Sequence, residues 1–215
     1  TGSGKTFTAC MLSYRAISYT PVERILYLVD RNNLGKQTED AFKSFKLTES
    51  GQPFTSIYSV LRLKKAEEAK NTNVCISTIQ RLFAVLTGQN FKDSDDDADD
   101  QNEDETFFNE EDEEGSAVEL GDDVKLPKDF FQLIIVDECH HIASRVFSKC
   151  LYKIGANYTI GLSATPDRKD GLTSIIHWYL GPQLIKIENR KCLETMVYQI
   201  NYFSNDLLFD VINRY

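Results

Sequence analysis

The sequence predicts an α/β fold in which helices cover both faces of a parallel sheet. Short apolar runs of strand length alternate along the chain with longer segments of helical periodicity. Strands that are buried on both faces have such continuous apolar runs. Each run is followed at once by polar residues, and parallel sheets bind ligands at the carboxyl ends of their strands. We therefore expect a functional site along that edge of the sheet.

The individual elements follow from the same patterns. Apolar residues at helical spacing predict helices at 7–18, 33–45 and 78–86. Short apolar runs predict buried strands at 24–29, 73–77, 132–136 and 159–162. A weakly alternating strand at 196–203 and a helix at 207–215 have too few partners to form a second core.

One acidic segment interrupts this pattern. Residues 93–123 contain 17 Asp or Glu and no Lys or Arg, within a longer insertion at 89–125. Repelling carboxylates with few apolar neighbours do not repay the entropy of ordering, so we expect a disordered surface insertion. Removing 17 negative charges from the net charge of −9 leaves +8 on the rest of the chain, which suits a polyanionic partner. Mimicry of DNA or binding to a basic protein is the alternative role for this segment.

Composition sets further bounds. A chain of 215 residues can bury one good core. It has no apolar run of bilayer length and no signal-peptide pattern, so we expect a soluble intracellular protein without a membrane partner. Cysteines without CxxC spacing or nearby histidine pairs predict buried free thiols rather than a zinc site. The five cysteines are Cys10, Cys75, Cys139, Cys150 and Cys192.

The amino-terminal residues match the second half of the P-loop pattern GxxxxGK[ST]. In that pattern, backbone N–H groups at a helix N-terminus cradle phosphate, the lysine neutralises the β- and γ-phosphates, and the hydroxyl binds Mg²⁺. The first glycine and the strand that feeds the loop would precede residue 1, so we expect the N-terminal strand of the sheet to be missing. An ordinary Gly/Ser loop is the alternative. The matching residues are Thr1, Gly2, Ser3, Gly4, Lys5 and Thr6.

A pair of carboxylates supports the phosphate-binding interpretation. Asp137 and Glu138 directly follow the apolar run at 132–136, which predicts that they lie at the carboxyl end of a strand. One carboxylate there can help to hold the Mg²⁺ of a triphosphate, and its neighbour can activate the attacking water. A solvated turn after a core strand is the alternative for an isolated Asp-Glu pair. The presence of GKT in the same chain favours the nucleotide site.

Five motifs in order resemble those of superfamily-two helicases of the DExH type. TGSGKT, VDECH and GLSATP resemble motifs I, II and III, while LYLVDRNNLGKQT at 26–38 and CISTIQRL at 75–82 resemble motifs Ia and Ic. The run at 24–166 is similar to the motor subunit of type I restriction endonucleases and ResIII-like proteins. The segment LSATPDRKDGL and WYLGP at 178–182 are similar to helicases of large DNA viruses. His141 and Ser163 depart from the residues usual in restriction motors, Arg and Thr.

The resemblance implies a RecA-like P-loop domain and a role for each matched residue. ATP would bind at residues 1–6, and Mg²⁺ would be held by Thr6 and Asp137. Glu138 would be the general base, and Lys5 and His140 would complete the catalytic set. The residues that would couple the ATP state to domain motion are Ser163, Ala164 and Thr165. The residues that would contact the nucleic-acid backbone are Arg31, Asn32, Thr78 and Gln80.

The resemblance also implies partners and a domain order. Residues 1–190 would be the first RecA-like domain, and 191–215 would lead towards a second RecA-like domain that is missing from the sequence. The fragment alone would then be inactive. The whole protein would hydrolyse ATP to move along or unwind DNA, with nuclease or methyltransferase domains or subunits if it is a restriction motor. A viral or repair-type helicase, a non-motor P-loop ATPase and an acidic interaction module are the alternatives.

Overall fold

A computed structural model describes residues 4–87, 126–144, 147, 151, 154–168 and 170–186. The predicted acidic insertion at 89–125, the strand at 196–203 and the helix at 207–215 lie outside these residues, and so do Thr1, Gly2 and Ser3. By its contacts the chain divides into two compact units, Thr1–Pro182 and Gln183–Tyr215. The predicted domain boundary after residue 190 stays a prediction.

The described residues form a parallel sheet with helices on both faces, which confirms the predicted fold class. The sheet has the strand order β2-β3-β1-β4-β5, and every neighbouring pair is parallel. The strands are β1 (Ile25–Val29), β2 (Val60–Arg62), β3 (Val74–Thr78), β4 (Leu133–Asp137) and β5 (Tyr158–Leu162). The helices are α1 (Lys5–Tyr19), α2 (Asn32–Ser44), α3 (Ala66–Ala69), α4 (Ile79–Thr87) and α5 (Thr173–Leu180). Two short 3₁₀ turns occupy Phe54–Ser56 and Cys139–Ala143.

Local sequence accounts for most element ends. Helix α1 begins directly after Gly4, whose φ of 75° no helical residue adopts, and it ends at Tyr19, two residues before Pro21. The predicted helices and strands lie within three residues of the observed ones. The elements β2, α3 and α5 are not among those predicted from the sequence, because they are short or lack a clear apolar period.

The central strands divide the core into two apolar layers. Leu26 and Leu28 of β1 face the layer that contains α4 and α5, while Ile25, Tyr27 and Val29 face the layer that contains α1 and α2. All residues of β1 and β3 are buried, as continuous apolar runs predict. Strand β1 therefore has no polar face, and the polar residues next to it in the sequence lie at its two ends.

The expectation of a fourth buried strand at 159–162 is wrong. Strand β5 has the predicted position, but Tyr158 and Thr159 are exposed and the rest of the strand is only partly buried. The physical reason is its place at the edge of the described sheet, where it pairs with β4 alone among the strands that the structure shows. An apolar run therefore does not distinguish a central strand from an edge strand.

The cysteines agree with a further expectation. Cys10, Cys75 and Cys139 are free and buried, as predicted, and burial raises the pKa of their thiols to about 12, 12 and 11. Cys150 and Cys192 lie outside the described residues. No helix in the described part of the chain has both the length and the apolar character to cross a membrane.

Candidate nucleotide-binding site

The polar residues that follow four strands lie at one edge of the sheet. Because β1, β3, β4 and β5 are parallel and adjacent in one sheet, their carboxyl ends share this edge. The N-terminus of α1 reaches the same edge, since Lys5 contacts a residue that follows β4. This edge therefore brings together segments that are more than 130 residues apart in the sequence.

Lys5 and Glu138 form the central contact of the site. The Lys5 ammonium donates a hydrogen bond to Glu138 Oε1, and both side chains are mostly shielded from solvent, with exposures of 19% and 27%. A partly shielded ion pair is stronger than one in water, because the surrounding dielectric constant is lower. The contact places the positive charge of the predicted phosphate-binding loop directly on the predicted general base.

The start of α1 offers a second anion-binding feature. Gly4 adopts a left-handed conformation, and a side chain at this position would meet no atom within 4 Å. Its carbonyl accepts hydrogen bonds from the N–H and the hydroxyl of Thr8, so the carbonyl belongs to the first helical turn. The N–H groups of that turn are those that a helix leaves without intrahelical partners. Open space beside unpaired N–H groups is the arrangement that binds phosphate.

Glu138 has an unusual backbone conformation. Its φ and ψ of 46° and 50° lie in the left-handed region, which costs an L-residue about 1–2 kcal/mol. The residue connects the end of β4 to the 3₁₀ turn Cys139–Ala143, and its carbonyl accepts a hydrogen bond from the N–H of His141. Backbone strain of this kind is concentrated at functional sites.

Asp137 lies beside Lys5 and Glu138, and its carboxyl group is partly buried from solvent. Its Oδ1 accepts a hydrogen bond from the Glu138 N–H at 3.0 Å. Burial raises the pKa of the Asp137 carboxyl above its ordinary value, while that N–H, the Lys5 ammonium and the Tyr27 hydroxyl act in the opposite direction. A carboxylate supplies oxygen ligands of the kind that Mg²⁺ prefers.

His140 connects the loop after β4 to the loop after β5. Its Nδ1 lies 3.1 Å from Ser163 Oγ and 3.4 Å from Glu138 Oε2. Ser163 Oγ also accepts a hydrogen bond from the Thr165 N–H at 3.1 Å, and Ala164 and Thr165 are exposed. Burial lowers the pKa of His140, and the neighbouring His141 adds to this effect. His140 is therefore a neutral hydrogen-bonding link at pH 7.

Arg168 also connects the loop after β5 to the loop after β4. Its guanidinium donates a hydrogen bond to the His140 carbonyl and forms an ion pair with Asp170. The hydrogen bond from Arg168 lowers the pKa of the Asp170 carboxyl to about 2. The sequence alone leaves Arg168 equally suited to a phosphate contact or a solvated loop, whereas the structure gives it intramolecular partners.

Arg31 lies beside this site, at the start of α2. Its Nε is 3.6 Å from Asp30 Oδ2, and Asp30 Oδ1 is 3.7 Å from His141 Nε2. The rings of His140 and His141 are 4.2 Å apart. Asp30 thus stands between the segment after β4 and Arg31, whose side chain is 59% exposed.

The remaining residues predicted to contact nucleic acid differ in accessibility. Asn32 and Gln80 are partly buried. Thr78 is 5% exposed, and its hydroxyl oxygen accepts a hydrogen bond from the Arg81 N–H at 3.3 Å. Thr78 therefore stabilises the start of α4, and Arg31 is the most accessible of the four.

The donor set fits a magnesium–nucleotide complex. Thr6 carries a hydroxyl and Asp137 a carboxyl group, and oxygen atoms are the ligands that Mg²⁺ prefers, while Lys5 carries a compact cation of the kind that binds phosphate. Among the residues that the structure describes, no group of three or more His, Cys, Asp or Glu could hold a metal ion without help. A metal here would need further ligands, and phosphate oxygens with water are the usual ones for Mg²⁺.

Comparison with known proteins identifies the family. Residues 1–168 match the profile of ResIII, described as the type III restriction enzyme, res subunit. The chain belongs to the ResIII family. The match includes the residues of the site described above except Asp170, and the chain contains a superfamily-two helicase ATP-binding domain.

Individual relatives of the ResIII chain are named as a helicase and as a subunit of a restriction enzyme. A protein of Acanthamoeba polyphaga mimivirus, whose name describes an ATP-dependent RNA helicase, is 40% identical over 34% of this chain and 14% of its own length. The EcoKI type I restriction enzyme endonuclease subunit of Escherichia coli strain K12 is 37% identical over 38% of this chain and 7% of its own. The chain thus spans a small part of these relatives.

A solved structure supports the fold. The helicase domain of Pyrococcus furiosus Hef matches 84% of this chain and 31% of its own, with a TM-score of 0.50 and 20% sequence identity. At this identity the likeness concerns the fold alone. It agrees with a helicase-type RecA-like domain.

Three residues of the site are absent from the sequence-based assignment. Asp30 and Tyr27 lie on or next to β1, inside a motif that the sequence identifies but without a chemical signature of their own. Arg168 is recognisable as a charged residue after motif III, but its partner is a backbone carbonyl, which no sequence pattern specifies. Their roles depend on contacts across the sheet edge.

Proposed function

We propose that this chain is the ATP-binding half of a motor that hydrolyses ATP to move along or unwind DNA. The observation that supports it best is the contact of Lys5 with Glu138 beside Asp137 at the carboxyl edge of the sheet. This arrangement joins a phosphate-binding loop to the two carboxylates that ATP hydrolysis needs. Membership of the ResIII family and likeness to named helicases support the same class of reaction.

Each residue of the site has a distinct task in this proposal. Lys5 and the N–H groups at the start of α1 bind the phosphates, with Ser3 and the preceding residues completing the loop. Thr6 and Asp137 hold Mg²⁺, which neutralises charge that develops on the phosphates. Glu138 accepts a proton from the attacking water. Lys5 contacts Glu138, so phosphates that attract the Lys5 ammonium would free the Glu138 carboxylate to act as the base.

Contacts between the loops after β4 and β5 would connect ATP hydrolysis to domain movement. His140 lies within hydrogen-bond distance of Ser163 and close to Glu138. A change in the contacts of Glu138 would therefore be passed through His140 to the loop that begins at Ser163. In the proposed motor, Ser163, Ala164 and Thr165 transmit this change to a second RecA-like domain in the same protein. Residues 1–190 form the first motor domain, and 191–215 lead towards the second.

DNA is the proposed nucleic acid along which the motor translocates. Arg31, Asn32, Thr78 and Gln80 would contact phosphates, which gives grip without reading sequence. The restriction enzyme relatives favour DNA, while the name of the mimivirus relative favours RNA. A restriction motor, with nuclease or methyltransferase partners, and a viral or repair-type helicase both remain compatible with the family.

Substitution of two residues tests the proposal in the full-length protein. Lys5→Ala is expected to lose nucleotide binding, because the phosphates lose their cation. Glu138→Gln is expected to bind ATP but hydrolyse it about 10² to 10⁴ times more slowly, the usual contribution of a general base. Binding of a fluorescent ATP analogue and release of phosphate, each with and without duplex or single-stranded DNA, measure both effects.

Lys43→Ala is the matched control. Lys43 also forms an ion pair, with Glu39 Oε1 at 2.7 Å, but it lies in the last turn of α2 and its side chain is 53% exposed. It should leave binding and hydrolysis unchanged. Normal hydrolysis in Glu138→Gln would contradict the assignment of the base. Hydrolysis that neither DNA nor RNA stimulates would favour a non-motor P-loop ATPase.

A further inference from the structure

Tyr27 carries a buried hydroxyl that packing does not explain. The residue lies at the centre of β1 and is 0% exposed, and its ring packs edge-on against Phe42 of α2 at a centroid distance of 6.3 Å. Within the described part of the chain, its hydroxyl makes no hydrogen bond of ordinary geometry. A buried hydroxyl without a partner costs about 1–3 kcal/mol. Phenylalanine would fill the same space without that cost.

The register of the sheet places Tyr27 on the same face as a residue of the nucleotide site. Tyr27 pairs with Ile135 of β4, and both belong to the apolar layer that contains α1. Side chains alternate along a strand, so Asp137, two residues beyond Ile135, lies on the same face and nearer the carboxyl edge. A diagonal neighbour of this kind is within reach of an aromatic side chain.

The electrostatic environment agrees with this placement. Burial raises the pKa of the Tyr27 hydroxyl, and the negative charge of Asp137 raises it further. The second effect is that of a hydroxyl that lies near a carboxylate.

We propose that Tyr27 is a positioning residue whose hydroxyl donates a hydrogen bond to Asp137 when that carboxylate holds the magnesium ion of a bound nucleotide. The proposal rests on the proposed function. Asp137 Oδ1 already accepts the Glu138 N–H at 3.0 Å, so the Tyr27 hydroxyl adds a second contact from the core side. Two fixed contacts hold the carboxylate in one orientation, which strengthens metal binding.

Tyr27→Phe in the full-length protein tests this role by removing one oxygen atom. Mn²⁺ serves as a paramagnetic probe for Mg²⁺, and its binding together with ADP is followed by electron paramagnetic resonance. Mn²⁺ affinity is expected to fall about tenfold, at the lower end of the effect of residues that orient metal ligands. ADP affinity in EDTA should not change, because the hydroxyl acts only through the metal carboxylate.

Tyr14→Phe is the matched control. Tyr14 is also buried, lies in the same apolar layer, and donates a hydrogen bond to Glu49 Oε2 at 3.2 Å, away from the nucleotide site. It should keep normal Mn²⁺ affinity. Thermal unfolding without metal should show that Tyr27→Phe is folded and no less stable than the wild type.

The outcomes separate the two proposals. Equal Mn²⁺ affinity in the wild type and Tyr27→Phe would overturn the role of Tyr27 and leave the proposed function intact. An equal loss of ADP affinity in EDTA would also overturn it, since the residue would then support the fold of the site. If the wild type bound no Mn²⁺ with ADP while Lys5→Ala behaved identically, both proposals would fall.

Discussion

At the level of single residues, Glu138 combines an ion pair with a strained backbone. The left-handed conformation turns the chain at the end of β4, so that Glu138 meets Lys5 while the 3₁₀ turn that follows carries His140 towards Ser163. A relaxed backbone at this point would direct these side chains elsewhere. The strain is thus a condition for the geometry of the site.

Two substitutions of Glu138 measure that strain. Both Glu138→Gly and Glu138→Ala remove the ion pair, but only glycine adopts the left-handed conformation freely. Glycine at this position relieves about 1–2 kcal/mol of backbone strain. About 0.4–1 kcal/mol of that gain is lost, because the unfolded chain has more conformational entropy with glycine than with alanine. Glu138→Gly should therefore be more stable than Glu138→Ala, by up to about 1.6 kcal/mol in urea unfolding. A Glu138→Gly protein that is less stable than Glu138→Ala by about 0.4–1 kcal/mol, the entropy difference alone, would mean that the conformation costs nothing.

At the level of elements, close packing joins β5 to the site. Gly161 of β5 lies against Leu180 of α5 and against Cys139, the residue that follows Glu138. A Cβ atom at position 161 would lie 2.8 Å from Cys139 Sγ and would also collide with Leu180. The missing side chain therefore lets the loop after β4 approach the strand that leads to Ser163.

Gly161→Ala tests this close approach. The added methyl group should destabilise the domain by about 1–3 kcal/mol, the usual effect of overpacking. Gly155→Ala is the control, because the nearest atom to a Cβ there is the Lys128 carbonyl oxygen at an ordinary 3.6 Å. Urea titrations followed by tryptophan fluorescence and circular dichroism compare the two. A Gly161→Ala protein as stable as the control would show that Cys139 and Leu180 move aside at no cost.

At the level of the whole molecule, charge is divided unevenly along the chain. The 17 acidic residues of 93–123 outweigh a remainder that carries +8. A field of this size changes the rate and strength with which a basic protein meets DNA, but it does not change the fold. The acidic segment and the nucleotide site should therefore be separable by experiment.

Deletion of residues 93–123 tests that separation in the full-length protein. Binding of an ATP analogue should not change, whereas affinity for DNA at low salt should rise about tenfold because like charges are removed. At 1 M salt, where the Debye length is about 3 Å, the difference should vanish. Replacing the Asp and Glu residues by Asn and Gln is the control for length. Unchanged DNA affinity with loss of a protein partner would instead identify the segment as an interaction element.

The sequence by itself determined the class of fold, the order of the motifs and the chemical type of the site. These features are local patterns: apolar runs, helical periodicity, and the Lys-Thr and Asp-Glu pairs. Each pattern involves residues that are close in the sequence, so it does not depend on the tertiary structure. The edge position of β5 was not predictable in this way, because an apolar run has the same composition at the centre and at the edge of a sheet.

The tertiary structure decided which residues meet. Lys5 contacts Glu138, Tyr27 lies on the same sheet face as Asp137, and Arg168 bonds to His140, because strand order and register bring distant segments to one edge. The left-handed turn at Glu138 and the close approach at Gly161 are likewise set by packing between elements. Sequence patterns repeat over a few residues, whereas a functional site depends on distances between side chains that folding alone establishes.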